Sequence, residues 1–239
     1  MGDVSAETGR IVQVGFKKMF FPANVKAKEI VSRPEFGGVS CITGRYPECL
    51  PAPEERNDMR KMVGFLDHIM HPYSVLIYLA GRVESIYVER NRKTGASVTA
   101  IRFESGAVGS LHLPHAQSGM SPLERTEVVG DGANVIVDNN VRVIYHRPGR
   151  PEGGYGRAST VFGPDDGGTL FWEPEFSLGQ LYNSGLFLLG YAQELIAFCE
   201  CALTGRAPEV AGLDDALELA KIYEAYPDAH GRVVTIPRG

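Results

Sequence analysis

Long apolar runs are missing from this 239-residue chain. The longest, residues 75–80, is far short of the ~20 residues that a membrane span needs. The N-terminus (Gly2-Asp3-Val4-Ser5-Ala6-Glu7) has no basic or apolar stretch, so it does not read as a signal peptide. Cysteine is scarce: Cys41, Cys49, Cys199 and Cys201, with no CxxC among them. On a helix, Cys199 and Cys201 would point about 200° apart and could not share a metal. All four are expected to be reduced structural thiols, and the compartment to be cytoplasmic. Basic charge is not in excess: 24 Lys and Arg against 29 Asp and Glu give a net charge of -5, which argues against a general nucleic-acid-binding role. Phosphate-binding loops are also missing. The nearest string to GxGxxG, Gly130-Asp131-Gly132-Ala133-Asn134-Val135, lacks the third glycine. It runs into a β-branched segment where a nucleotide site needs a helix, so it reads as a hairpin turn. No dinucleotide or mononucleotide site is visible in this chain.

What is present is an ordinary globular composition, 44% apolar and 22% charged, with glycine abundant at 28 residues. Many turns, hence many strands, are expected. Residues 5–10 read as a helix end stopped by Gly9, and 11–16 (IVQVGF) as a strand. A helix is expected over 23–32 with Pro22 in its first turn, then a strand over 39–46. Residues 64–81 form a long apolar helix. Six strands follow in series, at 83–89, 97–103, 108–113, 125–129, 135–137 and 141–146. Links such as Ser105-Gly106, Asp131-Gly132 and Asn139-Asn140 tolerate positive φ and make them an antiparallel meander. After a Gly- and Pro-rich loop come helices over 183–203 and 214–226, the second capped by Asp214, and a last strand over 233–236. The expected fold class is α+β: an open, mainly antiparallel sheet with helices packed on one face.

The sharpest polar cluster is Asp67-His68-Ile69-Met70-His71, inside the most apolar helix. Asp67 and His71 stand at i and i+4, share a helix face and can hydrogen-bond. An aspartate beside an imidazole suits a general acid or base near neutral pH. Three readings stay open on spacing alone: a helix-start acid near a half-buried histidine, an acid–base pair, or a metal site that adds His68. Pro72 removes an amide, frees the His68 carbonyl and is expected to kink the helix. Lys17-Lys18 can meet an anionic group or simply be solvated. His112 and His115 flank Pro114 as loop residues. Trp172, Tyr155, Phe171 and Phe176 read as packing aromatics in the long loop, or as lining for a sugar.

These pieces, in this order, resemble the glucose–fructose oxidoreductase/inositol dehydrogenase (Gfo/Idh/MocA) family. Val14-Gly15-Phe16-Lys17-Lys18-Met19-Phe20-Phe21-Pro22 is similar to the family's Gly-Tyr-Asn-Arg-Arg-Phe-x-Pro. Residues 64–72 resemble its Asp-x-Gly-x-His helix, 103–111 its F-x-x-G-x-x-G-x-L hairpin, and 194–198 its Glu-Leu-x-x-Phe helix. Residues 208–220 and 231–237 resemble its late Asp-Ala helix and closing strand. The resemblance implies an NAD- or NADP-dependent oxidoreductase of a polyol or sugar-like alcohol. His71 would be the base, Asp67 its partner and a substrate ligand, and Lys17 and Lys18 substrate-binding. It also implies oligomers built through the open sheet face. The family's Glu-Lys-Pro lysine has no counterpart in residues 1–16, and the position of the family's glycine after Asp67 is Ile69. Residues 1–16 are therefore expected to be a remnant of the last helix turn and strand of an absent Rossmann domain, and 17–239 a single substrate-binding and oligomerisation domain. On that expectation the chain alone carries no cofactor and is inactive alone, and the nucleotide domain belongs to a separate or missing part. The rival expectations are a non-catalytic scaffold subunit, or a metal-dependent enzyme using Asp67, His68 and His71.

Overall fold

The computed structural model describes residues 2–121, 123–148, 168–174 and 184–238, with backbone only for Arg56, Leu66 and Ser184. Tyr155 and Phe176 lie outside the described residues. Nine strands form one open sheet: β1 (Cys41–Arg45), β2 (Val83–Arg90), β3 (Ser97–Phe103), β4 (Val108–Leu113), β5 (Arg125–Val129), β6 (Asn134–Asp138), β7 (Arg142–His146), β8 (Leu170–Trp172) and β9 (Val233–Thr235). The order across the sheet is β8-β7-β6-β5-β1-β4-β3-β2-β9. The expected continuous meander is thus two three-stranded meanders with β1 inserted between them. β1 runs parallel to β4 and antiparallel to β5, with Thr43 level with both Ser110 and Glu127. Six helices accompany the sheet: α1 (Gly2–Thr8), α2 (Pro22–Val31), α3 (Met59–Ala80), α4 (Ser184–Leu188), α5 (Tyr191–Thr204) and α6 (Leu213–Ala225). None is long and apolar enough to cross a membrane.

Period-2 patterning sets the sheet's two sides. In β3, Ser97, Thr99, Ile101 and Phe103 are buried while Val98, Ala100 and Arg102 face out. The inward side is covered by α2 over β6 and β7, α3 over β1, and α6 against β2. Gly44 allows the α3 approach, because a Cβ there would meet Leu111 Cδ1 at 3.2 Å and Leu76 Cδ2 at 3.4 Å. The far side of the sheet carries no helix among the described residues.

Four local expectations need correction. α3 begins five residues earlier than its apolar pattern, because Asp58 caps it by accepting from the Arg60 amide at 3.0 Å. Residues 11–16 are not a strand: a strand needs a paired neighbour, and the Val14 amide instead donates to Ala211 O at 2.8 Å. The single helix expected over 183–203 is α4 plus α5, divided at Gly190, whose φ of 72° an L side chain rarely adopts. α6 starts at Leu213 with Gly212 as N-cap, and Asp214 falls in its first turn.

Candidate active site

Six stretches of chain converge on an open cleft of about 540 Å³. The first is a 3-10 turn, Lys17–Phe20, held at the foot of α2 because Pro22 starts that helix without needing an amide partner. α3 brings His68 and His71, and Tyr46 follows the end of β1. Glu124, just before β5, and the Asn139-Asn140 turn close one wall; Gly185, Leu188 and Leu189 of the α4 region form another. Asn139 and Asn140 have φ of 51° and 57°, the two left-handed residues of a tight hairpin turn between β6 and β7. Lys17, Lys18 and His71 therefore line one cleft, and Asp67 is not among its lining residues.

Lys18 is the structural centre. Its side chain is 5% exposed and ion-paired with Glu124. Its ammonium sits 4.6 Å from the Tyr46 ring centroid and 5.9 Å from that of Phe21. Asn140 Nδ2 donates to the same Glu124 oxygen at 2.8 Å. Asn24 Nδ2 donates to Lys18 O at 2.8 Å and ties the turn to α2. Burial pulls the Lys18 ammonium below its ordinary pKa, with Glu124 opposing. Burial and the nearby carboxylates of Glu124 and Glu48 push the Tyr46 phenol well up, so it stays a protonated donor. Lys17 differs: its ammonium donates to Tyr191 Oη at 2.7 Å and lies 4.7 Å from the Tyr191 ring centroid. The Gly190 bend makes this possible, since a Cβ there would stand 2.4 Å from Lys17 O.

The His71 ring lies 6.4 Å from that of Tyr46. Burial, helped by the charges of Lys18 and Lys17, pulls its pKa down to about 4, against the opposing pull of Glu124 and Asp67. At neutral pH His71 is an uncharged imidazole with a free lone pair, the form a base requires. Asp67 stands apart. Its side chain is 80% exposed, its carboxylate is 3.9 Å from His68 Nε2, and no hydrogen bond joins it to His71. His68 turns its Nδ1 to Glu48 Oε2 at 2.5 Å. Among the described residues no three His, Cys, Asp or Glu side chains converge as metal ligands. Pro72 sits inside an unbroken α3, and the Ser74 hydroxyl donates to His71 O at 2.8 Å. His115 faces Cys49 Sγ at 3.2 Å, and His112 Nε2 faces Ser110 Oγ at 3.1 Å; neither lines the cleft. Tyr46, Glu124 and the two asparagines are site residues that sequence reasoning missed. The Asn139-Asn140 turn was visible, but not what it packs against.

No family model matches the chain. It is 25% identical over 224 residues, 89% of its length, to the scyllo-inositol 2-dehydrogenase (NAD(+)) of Bacillus subtilis (strain 168), and it spans 58% of the length of that relative. In structure it is similar to a dehydrogenase from Chromobacterium violaceum, with a TM-score of 0.73, 20% identity, and 96% of this chain matched to 64% of that one. It is also similar to levoglucosan dehydrogenase in complex with NADH and L-sorbose, with a TM-score of 0.72, 16% identity, and coverage of 99% of this chain and 69% of that one. The open mixed sheet backed by helices is thus a fold of dehydrogenase type. The sequence relationship and the ordered motifs make the chain similar to the oxidoreductases of the Gfo/Idh/MocA type.

Proposed function

We propose that this chain is the substrate-binding and oligomer-forming part of an NAD(P)-dependent oxidoreductase that acts on a sugar-like or cyclitol-like alcohol in the cytoplasm. The observation that carries this reading is the neutral, half-buried His71 facing a cleft of about 540 Å³ beside two lysines. A cleft of that size suits a small ligand. His71 accepts the proton of the substrate hydroxyl, Asp67 acts on His71 through its charge, and Lys17 and Lys18 hold the substrate end of the cleft. The scyllo-inositol dehydrogenase and levoglucosan dehydrogenase relatives support the polyol class.

The described residues do not fit the dinucleotide itself. No glycine-rich turn leads from a strand into a helix among them, and the one parallel strand pair is β1–β4. The hydride acceptor is therefore assigned to a nucleotide-binding unit outside these residues, in line or as a separate Rossmann subunit. A surface for it exists. α5 is rich in Leu, Ile and Phe yet buries none of its side chains, with Leu195 65% and Leu203 87% exposed. Among the described residues α5 packs on the core only along the side of Ala197, and its exposed apolar side is a docking surface in waiting. It continues into the cleft mouth through Leu188 and Leu189 of the α4 region. Titrating the isolated chain with NADH or NADPH, followed by nicotinamide fluorescence, is expected to give no saturable binding. Micromolar binding would place the nucleotide site in these residues and overturn this division of labour.

The uncovered sheet face is proposed to meet a second copy. Its central row, running Ile144, Ile136, Glu127, Thr43, Ser110, Ala100 and Tyr87 across six strands and β1, mixes apolar and polar residues. Static light scattering is expected to give at least twice the 26.0 kDa chain mass. Ala100→Glu should dissociate the dimer and Leu195→Glu should not. A wild-type monomer, or the opposite mutant response, would show that this face is solvated.

A further inference from the structure

The charges in the cleft are not used equally. Lys18 is compensated: Glu124 pairs with it, and its ammonium is packed under Tyr46. Lys17 is ion-paired with no carboxylate among the described residues; its ammonium meets the hydroxyl and ring of Tyr191, and Glu194 on the same helix acts on it only through charge. The lining thus holds two lysines against one glutamate, in a molecule whose overall charge is -5. A neutral polyol is both donor and acceptor, and its hydroxyls need acceptors from the protein. Glu124 is the one carboxylate of the lining, and its Oε2 already takes Lys18 and Asn140. The His71 lone pair, Glu124 Oε1 and the asparagine amides can serve hydroxyls, and what the lining leaves unanswered is one surplus positive charge.

We propose that the alcohol substrate also carries a carboxylate, that of a sugar acid, and that Lys17 binds it. This rests on the polyol-oxidoreductase reading of the cleft given above. A carboxylate is favoured over a phosphate, because a single ammonium matches a monoanion. No arginine is among the lining residues to serve a dianion. The charge pairing also serves the chemistry. Lys17 is one of the charges that depress the His71 imidazole. A bound carboxylate offsets that charge, so His71 becomes a stronger base when substrate is present.

The test uses this chain with D-glucuronate, D-glucose and D-glucose 6-phosphate as probes, read by calorimetry and by the NMR titration of the His71 ring. Glucuronate is expected to bind at least tenfold tighter than glucose and to move the His71 titration upward. Lys17→Met should bring glucuronate down to the affinity of glucose and raise the His71 titration without ligand, whereas Lys17→Arg should keep the preference. Circular dichroism confirms that both variants are folded. Equal binding of glucose and glucuronate would overturn the carboxylate assignment and leave the polyol reading standing. A preference for glucose 6-phosphate would overturn the choice of carboxylate, and an unchanged preference in Lys17→Met the choice of Lys17. Absence of binding by all three would bring down this proposal together with the reading of the cleft.

Discussion

Replacing His71 by asparagine is expected to lower kcat roughly 10²–10⁴-fold, the usual worth of a positioned general base, in any assembly where a nucleotide-binding unit makes the cleft active. Asparagine keeps a polar side chain of similar reach but has no basic lone pair. The pH profile separates this role from a packing role. His71 must be neutral to accept a proton, so kcat/KM of the wild type should fall as pH drops through the free-enzyme value of about 4. In His71→Asn that acid limb should vanish along with most of the rate. Asp67→Asn is the contrast. With its carboxylate exposed and not bonded to His71, Asp67 acts only through its charge. Removing that charge lets the His71 pKa fall further, which displaces the limb to lower pH and costs far less turnover. A His71→Asn enzyme that keeps most of its activity would remove His71 from the chemistry.

The parts of this molecule that were legible in the sequence are those fixed by local physics. β3 and β4 have the bounds that their alternation implies, and α2 starts where Pro22 allows. Gly9, Gly81 and Gly205 all stand at positive φ at or just beyond helix ends. Non-local pairing was not legible. Nothing in Cys41–Arg45 announces that it slots between β4 and β5, strands that come more than sixty residues later. Nor does a sequence show that a segment such as 11–16, strand-like in composition, lacks a partner. The cleft divides the same way. His71 stood out as a polar residue inside an apolar helix, whereas Lys17 and Lys18 took a substrate role only through the family resemblance. The i, i+4 spacing of Asp67 and His71 permitted a hydrogen bond but could not require one. Side-chain direction followed the demands of burial: Ile69 and Tyr73 go into the core, and Asp67 goes to water. Glu124 was missed because its partner Lys18 is 106 residues away, and charge pairs of that separation leave no periodic trace.

That pair gives the largest expected effect on stability. Glu124→Met is expected to cost about 3 kcal/mol, the low end of the range for breaking a buried pair, since Glu124 itself is 25% exposed. The cost arises from what is left behind. Lys18, 5% exposed between Tyr46 and Phe21, would keep its desolvation penalty and lose its counter-charge, and Asn140 would lose its acceptor. Adding Lys18→Met should recover most of the loss, because two flexible apolar side chains of similar volume fill the same space without a charge to desolvate. The pH dependence has a definite sign. The folded-state pKa of Lys18 is already depressed by burial, and removing Glu124 depresses it further. Between the folded value and the unfolded value near 10.5, the unfolded chain holds one more proton than the folded one, so stability rises with pH through that window. The deficit of Glu124→Met should therefore shrink as pH rises toward 10.5, while the double variant shows no such recovery. Urea unfolding of the four proteins in the cycle, at neutral pH and near pH 10, measures both effects. A single variant within about 0.5 kcal/mol of wild type at neutral pH would mean that the pair behaves as a surface ion pair. The wall formed by Asn139 and Asn140 would then have to be held by the hairpin turn alone.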